Sequence, residues 1–294
     1  MTQATAAFRK SARVAQRGRL GRFIGAPVRF PRSLFRKSYA SNGRSTVHNT
    51  PLFWGESMEV VYPEMVSVHI DRYGFFEEGL TAFALEKLKP GMTVCDIGGH
   101  FGYFSRLAEF LTRESGCVHT FEPTPSTFKV LSRNTHRFPS IHLNQLAVAD
   151  QLGTLELTDY GTAFAAFNTI ADGNMDSVAE DLNLAPKQTN VSTTTIDAYA
   201  EEHKLQLDFV KIDAEGAEPL IIKGMRNTLE TARPMLSLEV GDSSDRHSVD
   251  TVKILTDFGY TIQRYNSENR LFEQVDIDRE YTHDNLFFTH EQHA

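Results

Sequence analysis

Val-Cys-Asp-Ile-Gly-Gly-His-Phe-Gly-Tyr, at residues 94–103, is the part of the 294-residue sequence from which the fold can be worked out. An apolar run ends on Asp96, glycines follow it, and a run of helical character begins at Tyr103. Glycines let a backbone turn sharply and approach a ligand closely before a helix begins. The stretch therefore predicts a strand, a tight turn and a helix, with a binding site at the turn.

The spacing of this turn favours a cationic ligand. From Asp96 to Gly102 it reads Asp-x-Gly-Gly-x-x-Gly, which differs from the Gly-x-Gly-x-x-Gly of dinucleotide-binding turns. A pyrophosphate needs backbone N–H groups and positive potential at the helix start, and an aspartate there opposes it. S-adenosylmethionine carries an ammonium and a sulfonium, so this turn suits it better than NAD. A glycine-rich turn that serves packing alone is the alternative.

Strands and helices alternate along the chain after Gly91. The pattern predicts an α/β, doubly wound, mostly parallel sheet, whose ligands bind beyond the carboxyl ends of its strands. The predicted strands are Thr93–Ile97, Cys117–Phe121, Ile141–Leu146, Phe209–Ile212 and Met235–Val240, with Tyr260–Gln263 and Asn285–Thr289 expected to close the sheet.

Composition divides the chain into three parts. Residues 1–50 contain 11 of the 30 lysines and arginines, and the first acid is Glu56. Their repeated glycines and prolines predict a basic, weakly ordered extension. Residues 51–90 are predicted to form a small N-terminal cap, and residues 91–294 are predicted to form the ligand-binding domain.

Within the cap, three short elements are predicted. Ser57–Tyr62 and Ser67–Ile70 resemble strands, because apolar residues alternate with polar ones. Glu78–Lys87 resembles a helix that ends before Pro90 and Gly91.

Charge and cysteine content limit the partners and the compartment. Beyond residue 50 the chain has 19 basic and 38 acidic residues, so no specific nucleic-acid partner is expected. The basic extension suits a weak contact with a membrane surface or an acidic partner, or it is a transit peptide. There is no bilayer-spanning apolar run and no secretory signal, and Cys95 and Cys117 cannot form a disulfide framework. A cytoplasmic location is expected, or an organellar one if residues 1–50 are a transit peptide.

Glu122 follows the second predicted strand, in residues 119–123, which read His-Thr-Phe-Glu-Pro. An acid at this strand end can accept hydrogen bonds from both hydroxyls of a nucleoside ribose. An acid at such a place can also cap the next helix. Together with the Asp96 turn, Glu122 predicts a ribose contact.

A cluster of acids surrounds the end of the fourth predicted strand, where residues 208–218 read Asp-Phe-Val-Lys-Ile-Asp-Ala-Glu-Gly-Ala-Glu. Clustered carboxylates repel, so at least one should have a raised pKa or bind a cation. A carboxylate of raised pKa suits a general base. Asp213 or Glu215 is therefore the predicted base, with Lys211 lowering the pKa of an acceptor hydroxyl, while Glu218 fits a helix N-terminus equally well.

Residues 159–190 interrupt the alternation of strands and helices. They are rich in alanine, asparagine, aspartate and glycine, and they include Tyr160, Phe164 and Phe167. So long a loop is typical of a lid, a binding loop or a disordered insertion. Acceptor specificity is expected in this loop and in the cap.

These motifs together resemble the FkbM-type methyltransferases, within the class I S-adenosylmethionine-dependent superfamily. The resemblance covers about residues 74–239, and its marks are residues 96–104, 121–123 and, most specifically, 210–218. It implies a Rossmann-like, seven-stranded, mostly parallel sheet with a reversed last strand. It also implies methyl transfer from S-adenosylmethionine, usually to an oxygen on a sugar, lipid or secondary metabolite.

The resemblance also implies roles for individual residues. Ala147 would lie near adenine, and Asp213 would face the transferring methyl group. The family usually has asparagine at position 100, where this chain has His100, which would contact the methionine carboxylate or only shape the turn. The predicted cofactor-binding residues are Asp96, Gly98, Gly99, His100, Gly102, Glu122, Pro123 and Ala147.

Two other functions remain open from the sequence. One is an NAD-dependent oxidoreductase on the same sheet, which the acid-first turn opposes. The other is a non-catalytic module that binds a nucleoside cofactor or a cation through Asp213, Glu215 and Glu239. No metal site is predicted from the 11 histidines, because their spacing is unlike that of metal ligands. The expected acceptor is a small molecule, a glycan or a lipid.

Overall fold

The N-terminal part of the chain consists of helices and one short hairpin. The computed structural model describes residues 2–40, 45–113, 115–167, 187–214, 216–240, 246–275 and 284–291. In chain order the first elements are α1 (Thr2–Ala15), α2 (Arg19–Gly25), α3 (Arg29–Ala40), β1 (Thr46–Pro51), β2 (Ser57–Tyr62), α4 (Met65–Tyr73) and α5 (Glu78–Lys87).

Alternating strands and helices follow. The first half contains β3 (Thr93–Ile97), α6 (Tyr103–Thr112), β4 (Cys117–Phe121), α7 (Pro125–Thr135), β5 (Ile141–Asn144), β6 (Ala147–Val148), β7 (Gly153–Asp159), a 3-10 helix (Thr162–Phe167), β8 (Lys187–Thr194) and α8 (Ile196–His203). The second half contains β9 (Phe209–Ile212), α9 (Glu218–Lys223), α10 (Arg226–Thr231), β10 (Met235–Val240), α11 (Arg246–Asp257), β11 (Thr261–Asn266), β12 (Leu271–Gln274) and β13 (Asp284–Thr289).

The main sheet has the strand order β12-β11-β13-β10-β9-β3-β4-β5. From β10 to β5 neighbouring strands are parallel, whereas β13 runs antiparallel to both β10 and β11. This confirms the predicted doubly wound, mostly parallel sheet with its reversed last strand. It has eight strands instead of seven, because β12 pairs with the edge strand β11.

Two hydrophobic cores cover the two faces of the sheet. One core includes Val94 and Phe209 together with apolar residues of α1, α4, α5 and α6. The other includes Cys95 and Val210 together with residues of α8, α9, α10 and α11. Neighbouring strand residues point to opposite faces, so central strands need apolar side chains throughout. Asp96 and Lys211, an acidic and a basic side chain in β3 and β9, stand out against this pattern.

The segment after β5 forms a second, smaller sheet. It has the order β6-β8-β7, in which β8 is parallel to β6 and antiparallel to β7. Of the predicted loop 159–190, the 3-10 helix and the start of β8 are described, and residues 168–186 lie outside the described residues.

The prediction of weak order for residues 1–50 differs from the structure. Residues 2–40 form three helices, and Phe8 of α1 lies with its ring centroid 5.4 Å from that of Phe53 and 5.3 Å from that of Phe75. The buried Asp71 of α4 accepts hydrogen bonds from Arg32 and Arg36 of α3, both at 2.9 Å. The stabilising partners lie outside this segment, so its own composition could not show them. The division of the chain at residues 50 and 90 stays a prediction.

The strand predicted at Ser67–Ile70 is wrong, because these residues belong to α4. Glu64 caps this helix: its carboxylate accepts hydrogen bonds from the N–H groups of Val66 and Ser67 at 2.7 and 2.6 Å. The first N–H groups of a helix have no partner within the helix, and a side-chain acceptor at this position satisfies them. This cap favours a helix more strongly than the alternation of apolar and polar residues, which extends over only four positions, favours a strand.

Candidate functional site

A cavity of about 360 Å³ lies beyond the carboxyl ends of β3, β4 and β9. This is where ligands bind in open parallel sheets. The cavity brings together most of the predicted site residues, namely Gly98, Gly99, His100, Glu122, Pro123, Ala147, Lys211 and Asp213. Glu215 lies outside the described residues, so its predicted role remains untested.

Two of the predicted residues, Asp96 and Gly102, do not line the cavity. The carboxylate of Asp96 is fully buried and accepts a hydrogen bond from the hydroxyl of Ser105 at 2.5 Å. Its other oxygen is 3.5 Å from the ammonium of Lys211, so Asp96 stabilises the turn from the protein interior. Gly102 has a φ of +91° at the start of α6, where a Cβ would lie 2.8 Å from the side chain of Leu131. It therefore lets α6 pack against α7.

The N–H groups of the turn are occupied within the protein. Gly98 and Gly99 both donate to the carbonyl of Phe121, at 3.0 and 2.9 Å. His100 donates its backbone N–H to the carboxylate of Glu122 at 3.0 Å. Dinucleotide-binding turns direct such groups at the pyrophosphate. With these three engaged, the turn lacks the donors that the NAD alternative requires.

Glu122 lies at the end of β4, in the cavity wall. Its side chain is buried and also accepts a hydrogen bond from the N–H of Thr124 at 2.9 Å. Burial raises the pKa of Glu122 to about 7. Each carboxylate oxygen accepts one of these bonds and can accept another. Glu122 thus fixes the chain before α7 and keeps acceptor capacity for a ligand.

Lys211 links the strand β9 to the Asp96 turn. Its ammonium donates a hydrogen bond to the carbonyl of Gly98 at 2.8 Å and lies 3.1 Å from the carboxylate of Asp213. Burial alone would lower its pKa, but the negative charges of Asp213, Asp96 and Glu77 raise it. The lysine is therefore cationic, and the chain itself supplies a positive charge next to Asp213.

Asp213 is a weak proton acceptor in this setting. Burial alone would raise its pKa, but the Lys211 ammonium and a hydrogen bond with Glu239 lower it. In the same acidic cluster, burial raises the pKa of Glu218, whose carboxylate accepts the N–H of Ala214 at 2.9 Å. Glu218 therefore stabilises the start of α9, as the sequence allowed.

His100 has a side chain directed into the cavity region. Its φ is +47°, and its ring centroid lies 4.0 Å from that of Phe101. Burial lowers its pKa, so the imidazole is neutral near pH 7. Its Nε2 atom is buried and has no hydrogen-bond partner among the described residues. Buried polar atoms are nearly always hydrogen-bonded, so this nitrogen is available to a ligand.

A family model, the methyltransferase FkbM domain, matches residues 96–262. This range is more than half of the 294 residues. The chain belongs to the FkbM methyltransferase family. Among curated proteins, none matches the chain.

Several solved structures are similar to this FkbM methyltransferase. The methyltransferase FkbM from Methylobacillus flagellatus has a TM-score of 0.43 and 14% identity, covering 75% of this chain and 52% of its own. This chain thus spans about half the length of that protein. Aeropyrum pernix fibrillarin with natively bound S-adenosyl-L-methionine has a TM-score of 0.39 and 12% identity. The match covers 82% of this chain and 93% of the fibrillarin chain. An S-adenosylmethionine-dependent O-methyltransferase from Thermotoga maritima has a TM-score of 0.39 and 11% identity. The match covers 83% of this chain and 77% of the Thermotoga chain.

The sequence patterns missed one carboxylate of this FkbM methyltransferase, Glu77. It lines the cavity just before α5 and has a φ of +45°. Its Oε1 accepts a hydrogen bond from the amide of Asn285 in β13 at 2.9 Å. Burial, followed by the charge of Asp213, raises the pKa of Glu77 to about 7. Left-handed backbone at a residue other than glycine is costly and concentrates at functional sites.

In the residues that the structure describes, no helix has the length and apolar character needed to cross a bilayer. In the same residues, no three side chains of histidine, cysteine, aspartate or glutamate are grouped so as to hold a metal ion.

Proposed function

We propose that this FkbM methyltransferase transfers the methyl group of S-adenosylmethionine to a hydroxyl oxygen on a sugar, lipid or secondary metabolite, with Glu77 accepting the hydroxyl proton. The observation that carries the proposal is the position of Glu77. Its carboxylate lies in the wall of the cavity, in a strained backbone conformation, and a hydrogen bond from the last strand orients it.

The charges of the cavity wall support S-adenosylmethionine as the methyl donor. Four carboxylates, those of Glu77, Glu122, Asp213 and Glu239, line the cavity with one ammonium, that of Lys211. When bound, S-adenosylmethionine supplies a methyl group on a positively charged sulfur. A wall with excess carboxylates attracts such a cation and repels a pyrophosphate.

Different residues of the cavity wall contact different parts of the methyl donor. Glu122 accepts hydrogen bonds from the ribose hydroxyls with the capacity that Thr124 and His100 leave free. The small side chain of Ala147 leaves space in the wall for adenine. Gly98, Gly99 and the free Nε2 of His100 shape the methionine end.

Glu77 has the protonation behaviour that a hydroxyl acceptor requires. An alcohol must lose its proton as its oxygen attacks, and a base works best when its pKa is near the operating pH. With a pKa of about 7, Glu77 is partly ionised at neutral pH. Asp213 acts as a positioning residue: it pairs with Lys211, and its charge helps to raise the pKa of Glu77.

Part of the cavity wall is apolar. The apolar lining residues from the cap, α5, β7 and the 3-10 helix include Met65, Phe76, Leu80, Leu157 and Ala165. An apolar wall excludes water, which strengthens the electrostatic interactions within the site. It suits an acceptor that presents its hydroxyl beside an apolar surface, such as a lipid or the ring face of a sugar.

The test is transfer of a labelled methyl group from S-adenosylmethionine to a panel of hydroxyl-bearing lipids, glycans and secondary metabolites. The wild type and Glu156→Gln, a matched change on the exposed surface of β7, should label the same acceptor. Glu77→Gln should lower kcat about 100-fold and weaken S-adenosylmethionine binding far less than this, because three of the four wall carboxylates remain.

Three results would contradict the proposal. Full turnover by Glu77→Gln would place the base elsewhere. A label found on nitrogen or carbon would exclude oxygen as the acceptor atom. Binding of S-adenosylmethionine without transfer to any member of a broad panel would favour the non-catalytic binding module.

A further inference from the structure

Helices α2 and α3 expose apolar side chains to solvent. Six residues between positions 20 and 39 are each at least 49% exposed. These residues, named here the apolar face, are Leu20, Phe23, Ile24, Val28, Phe35 and Tyr39. Single exposed apolar residues are ordinary, but a group of this kind marks an interaction surface.

The spacing of these residues places them on one side of each helix. In α2, Leu20, Phe23 and Ile24 stand at positions i, i+3 and i+4. Phe35 and Tyr39 in α3 stand four positions apart, and Val28 lies in the turn between the two helices. Such intervals bring side chains to the same helix face.

The opposite side of α3 is fixed to the rest of the protein, so the apolar face has a defined orientation. Phe30 and Ser33 are buried. Arg32 and Arg36 pair with the buried Asp71 of α4, each at 2.9 Å. The helix thus packs with Phe30 and its arginine-bearing side inward, while Phe35 and Tyr39 stay exposed, unlike an ordinary surface helix.

The charged residues of the N-terminal segment that bears the apolar face have one sign. The first 55 residues contain no aspartate or glutamate, and 11 lysines and arginines precede residue 50. Arg19 and Lys37, in the same two helices, are exposed. Apolar side chains flanked by cations are the composition of helices that lie in the interface of an anionic membrane.

We propose that the apolar face docks on the surface of an anionic lipid bilayer. Its apolar side chains insert at the headgroup boundary, and the surrounding lysines and arginines contact the lipid phosphates. A two-fold dimer through this face is the rival occupant, but it would place two surfaces of the same positive charge against each other. The proposal is independent of the proposed function, because the face lies outside the cavity.

Helix α4 connects the docking surface with the cavity. Asp71, which holds α3, lies six residues after Met65, or about 9 Å along the helix. Met65 lines the cavity and is itself 59% exposed. Helix α4 thus contacts α3 through Asp71 and the cavity through Met65.

The test is co-sedimentation of the full chain with two kinds of vesicle, phosphatidylcholine alone and phosphatidylcholine mixed with phosphatidylglycerol. We expect binding to the anionic vesicles only. The double variant Phe23→Ser, Phe35→Ser should weaken this binding about ten-fold or more. The matched control is Leu152→Ser, Leu271→Ser, which removes two exposed leucines from other surfaces and should bind as the wild type does.

A second measurement follows the docking without removing the apolar face. The only tryptophan of the chain, Trp54, is buried. Emission from a Phe35→Trp variant should therefore shift to shorter wavelength when anionic vesicles are added. Equal binding by the Phe23→Ser, Phe35→Ser variant, an unchanged emission, or a dimer that this variant dissociates would each overturn the proposal.

Discussion

A Cβ atom on Gly98 would overlap the carbonyl oxygen of Asp213, so the turn after β3 and the end of the neighbouring parallel strand β9 are in direct backbone contact. Gly98 also has a φ of +75°, which favours glycine. The glycine is thus required by the contact of two backbones as well as by any ligand at the turn. Lys211 stabilises the same contact through its hydrogen bond to the Gly98 carbonyl.

We expect Gly98→Ala to lower the free energy of unfolding by about 3 kcal/mol or more, because backbone must move to admit the methyl group. Gly55→Ala is the control: its φ is +97°, but nothing lies within 4 Å of the new Cβ. That change should cost only the strain of a left-handed residue, about 1–2 kcal/mol. Urea denaturation measures the free energy of unfolding of both variants. Equal losses of this free energy would show that the backbone contact between Gly98 and Asp213 is not the cause.

We expect the rate of methyl transfer to rise with pH through about 7, the pKa of Glu77. A general base must be ionised to accept a proton, so activity is lost as the pH falls below this value. The pH profile of kcat measures the effect. The residual rate of Glu77→Gln should no longer rise with pH through about 7. If the rise persisted in the variant, it would come from the ionisation of another group.

Glu77→Gln should also change the pH dependence of stability. The pKa of Glu77 is raised from its usual 4.5 to about 7, so the folded state binds the proton more tightly than the unfolded state. Wild-type stability therefore falls as the pH rises from about 4.5 to about 7, whereas glutamine has no proton to lose. The free energy of unfolding of the variant should exceed that of the wild type above pH 7, by on the order of 2 kcal/mol. A difference that stayed constant across this range would contradict the burial of an ionisable Glu77.

Glu122→Ala should weaken S-adenosylmethionine binding about 10- to 100-fold, through loss of charged hydrogen bonds to the ribose. Calorimetric titration measures this, with Glu156→Ala as the control and NAD as the competing ligand. We expect NAD not to bind the wild type, since the N–H groups of Gly98 and Gly99 are already engaged. Unchanged affinity in Glu122→Ala would leave Glu122 with its structural role alone.

Asp71→Asn should loosen the N-terminal helices. It removes a buried negative charge that Arg32 and Arg36 contact, and loss of a buried pair costs about 3 kcal/mol. Limited digestion with trypsin should then cut at the arginines of residues 2–40 sooner than in the wild type. The exposed Asp257→Asn is the control, and equal digestion of all three proteins would show that Asp71 does not hold α3.

The centre of the sheet could be predicted because its parallel strands are set by local sequence. The runs at 93–97, 209–212 and 235–240 are apolar and short, and they match the observed strands. The strand β8 was missed, since its residues are mostly polar and it is stabilised by pairing with β7. The three N-terminal helices were missed for a related reason: their partners, such as Asp71 and Phe75, lie far along the chain.

The candidate site divides in the same way. Residues attached to strand ends, such as Glu122 and Asp213, could be located because topology brings strand ends together. Glu77 could not, because an acid before a helix usually complements the helix dipole. Its nearness to Asp213 and Asn285 arises from packing of the cap on the sheet, which no local pattern encodes.

The bond between Glu77 and Asn285 joins residues that are 208 positions apart. Asn285 belongs to β13, the last strand of the sheet, which inserts between β10 and β11. During synthesis on the ribosome, Glu77 therefore leaves the exit tunnel well before Asn285, and the two side chains can meet only after the intervening strands have been translated. A nascent chain that stops before β13 should lack the hydrogen bond that orients Glu77.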